Sequence, residues 1–345
     1  MRNDTRAVYR GYLTQIAALC SIAIDDVSKK FNVAAAPQQS LETKLQQSSK
    51  FLSMINIIGV DEQLGEAIGL TVSSTIAGRT DTSGAARRQG RDVTGLVKNE
   101  YVCKQTNYDT FIPYAKLDAW AKFKDFQKRI SAAIVERCAL DRIMIGWNGE
   151  SAADTTDRAT YPLLQDVNIG WLKKIKTNAA ARVLSAGDVA GKVSFGHEDA
   201  DYKNLDALVF DARNTLIVEQ HREDPGLVAI VGSDLMHDKL FPLVSDNDAP
   251  TEKLAADIVT SQKRLGGLQA VVVPYFPAGK VLITRLDNLS IYYQNGARRR
   301  SIIERPERNG VETFESSNDA FVIEDYDLVA LVENVQEYVP PVQGG

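Results

Sequence analysis

The sequence predicts a mixed α+β protein of more than one domain, and three observations carry that reading. Apolar residues switch from helical spacing to strict alternation and back along the chain, as expected when helices and half-buried strands share one polypeptide. From Leu205 to Gly232 an amphipathic helix leads into the short apolar run Leu227-Val228-Ala229-Ile230-Val231, the pattern of an α/β layer with a buried strand. From Arg264 to Tyr293 the chain ends a helix at Gly266-Gly267 and runs the strand Val271-Val272-Val273 into the turn Pro274-Tyr275-Phe276-Pro277. It then adds the β-rich Leu289-Ser290-Ile291-Tyr292-Tyr293, with no catalytic side chain in the whole stretch.

Taken in order, Tyr9, Tyr12, Leu13, Ile16 and Cys20 recur at helical spacing with Arg2, Arg6 and Arg10 on the solvated side, which predicts a short amphipathic helix. The soft stretch Ala34-Ala35-Ala36-Pro37-Gln38-Gln39 reads as an accessible linker, so the first thirty or so residues look detachable. Ser40 caps a second helical pattern through Leu41, Leu45, Leu52 and Ile55 that ends near Gly59. Between Ala67 and Tyr114 the period becomes two: Leu70 and Val72, then Val102, Lys104, Thr106, Tyr108, Thr110 and Ile112, imply two strands. They flank a connection from Ala77 to Lys98 that holds Arg79, Arg87, Arg88 and Arg91 and almost nothing that builds a core. Connections beyond roughly 12–15 residues are uncommon in compact domains and usually functional or disordered, so this one is expected to reach out to something.

After Pro113, Leu117, Trp120, Phe123, Phe126, Ile130, Ile134 and Cys138 are spaced at three or four. A helix running to about Ile145 is predicted, roughly 45 Å long at 1.5 Å per residue, a spine rather than an ordinary packing helix. Leu163, Leu164, Val167, Trp171 and Leu172 suggest a further helix, and Ala186 to Tyr202 reads as loop. Leu205, Leu208, Val209, Ala212 and Leu216 form a helix before the buried strand; Ser233 caps the next through Leu235, Met236 and Leu240, and Thr251 opens another through Leu254, Ala255, Ile258 and Leu265. The remainder reads as strand: Ser301 to Glu304 and Val311 to Glu315 across a Pro306-to-Gly310 turn, then Ala320 to Tyr326 and Leu328 to Val332.

With 345 residues and 44% hydrophobic content the chain buries a substantial core. Lys+Arg 40 against Asp+Glu 45, a net charge of -5, excludes a dedicated nucleic-acid-coating protein. Three widely spaced cysteines, Cys20, Cys103 and Cys138, argue against a disulfide framework and fit a reducing cytoplasm. The mixed charge of Met1 to Arg6 is not that of a secretion signal, and no run approaches the ~20 apolar residues that span a bilayer, so a soluble protein without a membrane partner is expected.

An enzyme has little to stand on. His197, His221 and His237 have no paired cysteine ligand or hydrolase motif near them. Gly187-Asp188-Val189-Ala190-Gly191-Lys192-Val193 is one residue short of a phosphate loop and lacks its Ser or Thr, and Asp154, Asp157, Asp199 and Asp201 fit no calcium loop; both read as turns. No catalytic residue, metal or cofactor is assigned. Arg298-Arg299-Arg300 is open to two readings, phosphate contact or salt bridges to nearby acids such as Glu304 and Glu307.

A resemblance sharpens this. The stretches Asp26-Val27-Ser28-Lys29-Lys30-Phe31, Ser53-Met54-Ile55-Asn56-Ile57, Leu117-Asp118-Ala119-Trp120-Ala121, Leu164-Gln165-Asp166-Val167 with Gly170-Trp171-Leu172, Leu205-Asp206-Ala207-Leu208-Val209, Ser261-Gln262-Lys263-Arg264, Asn288-Leu289-Ser290-Ile291-Tyr292-Tyr293 and Val322-Ile323-Glu324-Asp325-Tyr326 occur in the order and spelling of one family. The chain resembles, over essentially its whole length, the major capsid proteins of peduovirus-type tailed bacteriophages, which have the Hong-Kong-97-type capsid fold.

That resemblance implies an icosahedral head shell of hexamers and pentamers enclosing double-stranded DNA, assembled in the bacterial host cytoplasm with a capsid scaffold-protease and a portal protein. It further implies a scaffold-like segment 1–31 that is removed, with the cut near Phe31 and Asn32, an amino-terminal arm 32–66 and an extended loop 67–112. A peripheral domain 113–149 and 296–338 with the spine helix, and an axial α/β domain 150–295, complete the expected plan. A thin shell must spread contact over many neighbours, because one standard interface buries only about 1,600 Å². Reaching loops supply that area, and Arg79, Arg87, Arg88 and Arg91 are candidates for pairing with an adjacent subunit. A nanocompartment shell of the same fold is the alternative.

Overall fold

The computed structural model describes residues 1–72, 77, 79–81, 83, 87–88, 94–120, 126–236 and 264–340. Among them a six-stranded sheet and a seven-stranded sheet carry most of the core, accompanied by two separate two-stranded sheets.

The six-stranded sheet is built around β9 (Leu227–Val231), which is buried at every position. It pairs in parallel with β11 (Leu268–Val272) and antiparallel with β12 (Val281–Arg285); β12 in turn pairs with β16 (Ala330–Val332), and β16 with β7 (Val183–Leu184). Alternate side chains of a strand point to opposite faces. Val228 and Ile230 accordingly enter one apolar core, while Leu227, Ala229 and Val231 enter another. The second core is covered by α6 (Leu205–Leu216), which buries Leu205, Leu208, Val209 and Ala212 at the expected helical spacing and is capped by the Asn204 side chain accepting from the Ala207 N–H at 2.8 Å. The helix opened by Ser233 begins where expected, and its continuation, like the helix expected from Thr251, lies outside the described residues.

The glycine pair works differently from the expectation. Arg264–Leu265 is not a helix end but strand β10, and Gly266 and Gly267, at φ +55 and +83, form the two-residue turn that returns the chain as β11 with Leu265 opposite Leu268. Two consecutive positive-φ residues are what a two-residue hairpin turn requires. A Cβ on Gly266 would also stand 2.7 Å from the Phe210 backbone nitrogen, so α6 closes over this turn.

The seven-stranded sheet centres on β15 (Gly310–Ile323), a single strand of 14 residues. It pairs with β14 (Arg299–Arg305), β13 (Leu289–Gln294), β5 (Lys104–Asn107) and β6 (Thr110–Pro113); residues 310–313, Ser316 and Asp319 have partners on both edges. At the margins β1 (Phe31–Asn32) adds to β14, and β2 (Asn56–Val60) lies parallel to β13. The sheets cross the expected segment border at 295/296: β13 shares a sheet with β14, and β16 belongs to the other sheet. β17 (Val335–Glu337) pairs with β8 (Val193–Phe195), a strand inside the expected loop 186–202.

Further elements depart from the sequence reading. The stretch expected as a linker opens α2 (Ala35–Ser48), five residues ahead of Ser40, with Gln38 buried; Pro37 sits in its first turn, where a missing N–H costs nothing. Phe31 is buried and strand-paired rather than beside an open linker. After α2 the chain forms a short 3-10 turn at Leu52–Met54 and then β2, so the helical pattern does not continue to Gly59. The helix expected from Leu163 starts only at α5 (Trp171–Asn178), because Leu164 takes a positive φ of 57. The expected spine is α3 (Tyr114–Trp120) and α4 (Phe126–Asn148), with 121–125 outside the described residues.

The two sheets meet at an aromatic cluster. Trp147, Trp171, Phe51, Phe276 and Phe321 are buried together, with ring centroids of 4.8 Å between the two tryptophans and 5.3 Å from Trp171 to Phe321. Trp171 lies so close to α4 that a Cβ on Gly146 would stand 2.3 Å from its ring, and its Nε1 donates to the Ser290 carbonyl of β13 at 3.1 Å.

Candidate functional site

The charged residues with the most unusual surroundings form a buried ionic hub at the base of α2. Arg142 of α4 is 1% exposed, Arg298 at the entrance to β14 is 2% and Glu42 of α2 is 3% exposed. Arg142 grips Glu42 with both terminal nitrogens and donates to Asp319 Oδ1 of β15 at 3.1 Å. Arg298 donates to Glu42 Oε1 at 2.8 Å and to Glu315 Oε1 at 2.7 Å. The second Asp319 oxygen accepts from Ser317 Oγ at 2.9 Å and from the Tyr108 hydroxyl at 3.3 Å. Planar guanidiniums suit this task, since each presents several donors in fixed directions.

The two central acids respond differently to the same burial. Desolvation favours the neutral form of both, but Glu42 faces two guanidiniums, and Arg142 and Arg298 together hold it below the usual carboxylate range. Asp319 meets chiefly one, Arg142, and burial together with the Glu42 charge pushes it up. The hub therefore ties α2, α4, β14, β15 and the β5–β6 turn into one block. Sequence reasoning missed it: neither Glu42 nor Arg142 stands out in the sequence pattern. The available signal was Arg142 opening the run Ile143-Met144-Ile145-Gly146-Trp147, in which every residue is buried.

Of the basic cluster left open between two roles, Arg298 is an intrachain ion-pair residue, and Arg300 donates to the Tyr12 hydroxyl at 3.1 Å. Arg299 is exposed. His197 is exposed and stacks on Tyr338 at 5.1 Å, His221 is half-buried and His237 lies outside the described residues. Asp157 closes a turn by accepting from the Ala159 N–H at 2.9 Å and the Thr160 hydroxyl at 2.7 Å. Asp201 accepts from the Asp188 N–H at 2.7 Å, placing a carboxylate against the turn that faintly resembles a phosphate loop. Cys103 and Cys138 are free, and burial pushes both thiols up to about 11. Among the described residues no helix is long and apolar enough to cross a membrane.

The candidate contact arginines sit apart from the hub. β3 (Leu64–Val72) and β4 (Thr94–Val102) pair through nine residues, from Leu64 opposite Val102 to Val72 opposite Thr94, and form a two-stranded sheet of their own. Its base is anchored by Tyr101, which packs edge-on against Tyr292 at 5.0 Å. Beyond its far end Arg79, Arg87 and Arg88 are exposed, and Arg91 lies outside the described residues.

Residues 8–335 match the family described as phage major capsid protein, P2 family. The chain belongs to that family. This phage capsid protein is 48% identical over 341 residues to the capsid protein of Escherichia phage P2, covering 97% of this chain and 96% of the relative. It is 40% identical over 354 residues to the major capsid protein of Serratia phage KSP20, covering 100% of both. A solved structure, the satellite phage P4 procapsid including size determination (Sid) protein, matches with a TM-score of 0.79 and 44% identity, over 98% of this chain and 99% of that one. The α+β architecture is thus the phage capsid fold expected from the sequence, and the capsid protein builds a shell from many copies of itself as part of the virion. These relatives place it with phage capsids rather than with nanocompartment shells.

Proposed function

We propose that this capsid protein has a structural rather than a catalytic role, closing the head shell around double-stranded DNA after assembly in the host cytoplasm with a scaffold-protease and a portal protein. In this reading the β3–β4 hairpin is the extended loop that bridges subunits, residues 32–66 form the arm, and the six-stranded sheet is the heart of the axial domain. The seven-stranded sheet with α3 and α4 makes up the peripheral domain. Arg299 is the member of its basic cluster available to packaged phosphates.

The observation that carries the reading is that, among the described residues, the hairpin pairs with neither of the two large sheets. Nine paired residues extend about 30 Å at 3.3 Å per residue, yet an isolated two-stranded sheet is only marginally stable in water. Stability beyond its Tyr101 base is most simply supplied by a neighbouring subunit, with Arg79, Arg87, Arg88 and Arg91 pairing to its acids. Deleting residues 87–91 is expected to abolish closed shells in electron micrographs while the chain still sediments as a folded monomer. Normal particles from that deletion would refute the bridging role.

Removal of residues 1–31 belongs to the same proposal. Ser28, Lys29 and Lys30 are exposed immediately before the buried Phe31, so they are where a protease gains access. Intact-mass measurement of mature particles is expected to show a chain beginning near Asn32; a mass retaining Met1 or Arg2 refutes the cut.

A further inference from the structure

The amino-terminal helix α1 (Asn3–Cys20) is built as a weak helix in a strong seat. Gly11 stands at its middle, and a Cβ added there would meet nothing within 4 Å, so no packing constraint asks for glycine. Glycine in place of alanine at such a site weakens a helix roughly fivefold in its equilibrium. Its N-cap has no side-chain hydrogen bond, and its C-cap, Ser21, sits at φ 56 where a glycine is normally favoured.

The seat compensates. Ile16 and Ala17, with Val27 of the following turn, are buried against Leu117, Ile302 and Val311. A cavity of about 160 Å³ remains beneath the helix between Tyr9 and Tyr12 and the body of the protein. At the rim the Arg2 N–H donates to Asp118 Oδ1 at 2.8 Å and Arg6 reaches Glu304 Oε1 at 3.1 Å, while Tyr114 supplies Glu304 with a hydroxyl at 2.8 Å. Withdrawal of α1 therefore leaves an apolar groove in which Glu304 has lost its Arg6 partner and Asp118 its hydrogen bond from the Arg2 N–H.

We infer that α1 is a releasable plug, and that the groove it covers is the site on which a second copy of this chain docks with its loop arginines. Charge complementarity selects this occupant: the vacated rim presents Asp118 and Glu304, and each copy displays the exposed Arg79 and Arg88. In a shell another copy is also the partner present at the highest effective concentration. The inference rests on the proposed bridging role of those arginines and supplies the acidic patch they meet; removal of residues 1–31 makes the release permanent.

The test uses the full-length unassembled chain, with hydrogen exchange reporting on α1 and sedimentation on self-association. Ile16→Asp places a charge in the apolar seat and is expected to speed exchange of the α1 amides by about tenfold or more, with β9 and β12 unchanged. Self-association is expected to tighten by about tenfold, and Arg79→Glu with Arg88→Glu in the same chain to cancel that gain. Gly11→Ala acts in the opposite direction, slowing α1 exchange about fivefold and weakening association, and keeps the test decisive should Ile16→Asp unfold the body. Faster α1 exchange without a change in sedimentation overturns the proposal, as does a gain in association that ignores the two charge reversals. Failure of the parent reading shows separately, as normal shells from an otherwise unaltered chain carrying Arg79→Glu and Arg88→Glu.

Discussion

Arg142→Met is expected to destabilise the unassembled subunit by about 3–5 kcal/mol, measured by denaturant unfolding, because it leaves Asp319 buried without its guanidinium partner and Glu42 with Arg298 alone. Methionine fills most of the space, so the loss reports on charge rather than on a cavity. Adding Glu42→Gln is expected to return part of the loss, since the second change removes one of the buried acids that the first leaves sharing only Arg298. Additive losses in the double variant would mean that Glu42 and Arg142 do not act as a unit. The effect is expected to spread to α2, whose Glu42 is part of this contact: α2 should exchange its amides faster than α6, which has no part in the hub.

Trp171→Ala is expected to cost about 3–5 kcal/mol in the same measurement. The indole touches Trp147, Phe51 and Phe321, and its Nε1 is the donor to the Ser290 carbonyl, so the substitution opens a void and orphans a buried acceptor at once. Trp171→Phe separates the two terms: it keeps most of the ring and is expected to lose about 1–3 kcal/mol, the cost of the unsatisfied carbonyl. A small effect from the alanine variant would mean that the two sheets are held together elsewhere.

These two sites differ in how far the sequence announces them. α6 and β9 are readable because each writes its burial into local spacing: Leu205, Leu208, Val209 and Ala212 for one face of a helix, five consecutive apolar residues for a strand covered on both faces. Trp171 is visible as an apolar residue, although the positive φ at Leu164 displaces the start of its helix. The hub is not readable in this way, because its members are 100 residues apart from Glu42 to Arg142 and 177 from Arg142 to Asp319, and a charge normally stays in water. Only the fold supplies the counter-charges. Gly266-Gly267 shows a different limit: glycine ends helices and turns hairpins for the same conformational reason, and the strand opposite decides which.

The length of β15 has a mechanical consequence. Hydrogen bonds of an antiparallel pair run across the strands, so tension along β15 loads the bonds to β14, β13, β5 and β6 side by side, in shear, rather than one after another as in peeling. A wall under outward pressure stretches within its own surface. Where that stretch runs along β15, the subunit resists it as a lap joint does, by overlap, and yields only when the whole overlap slips at once.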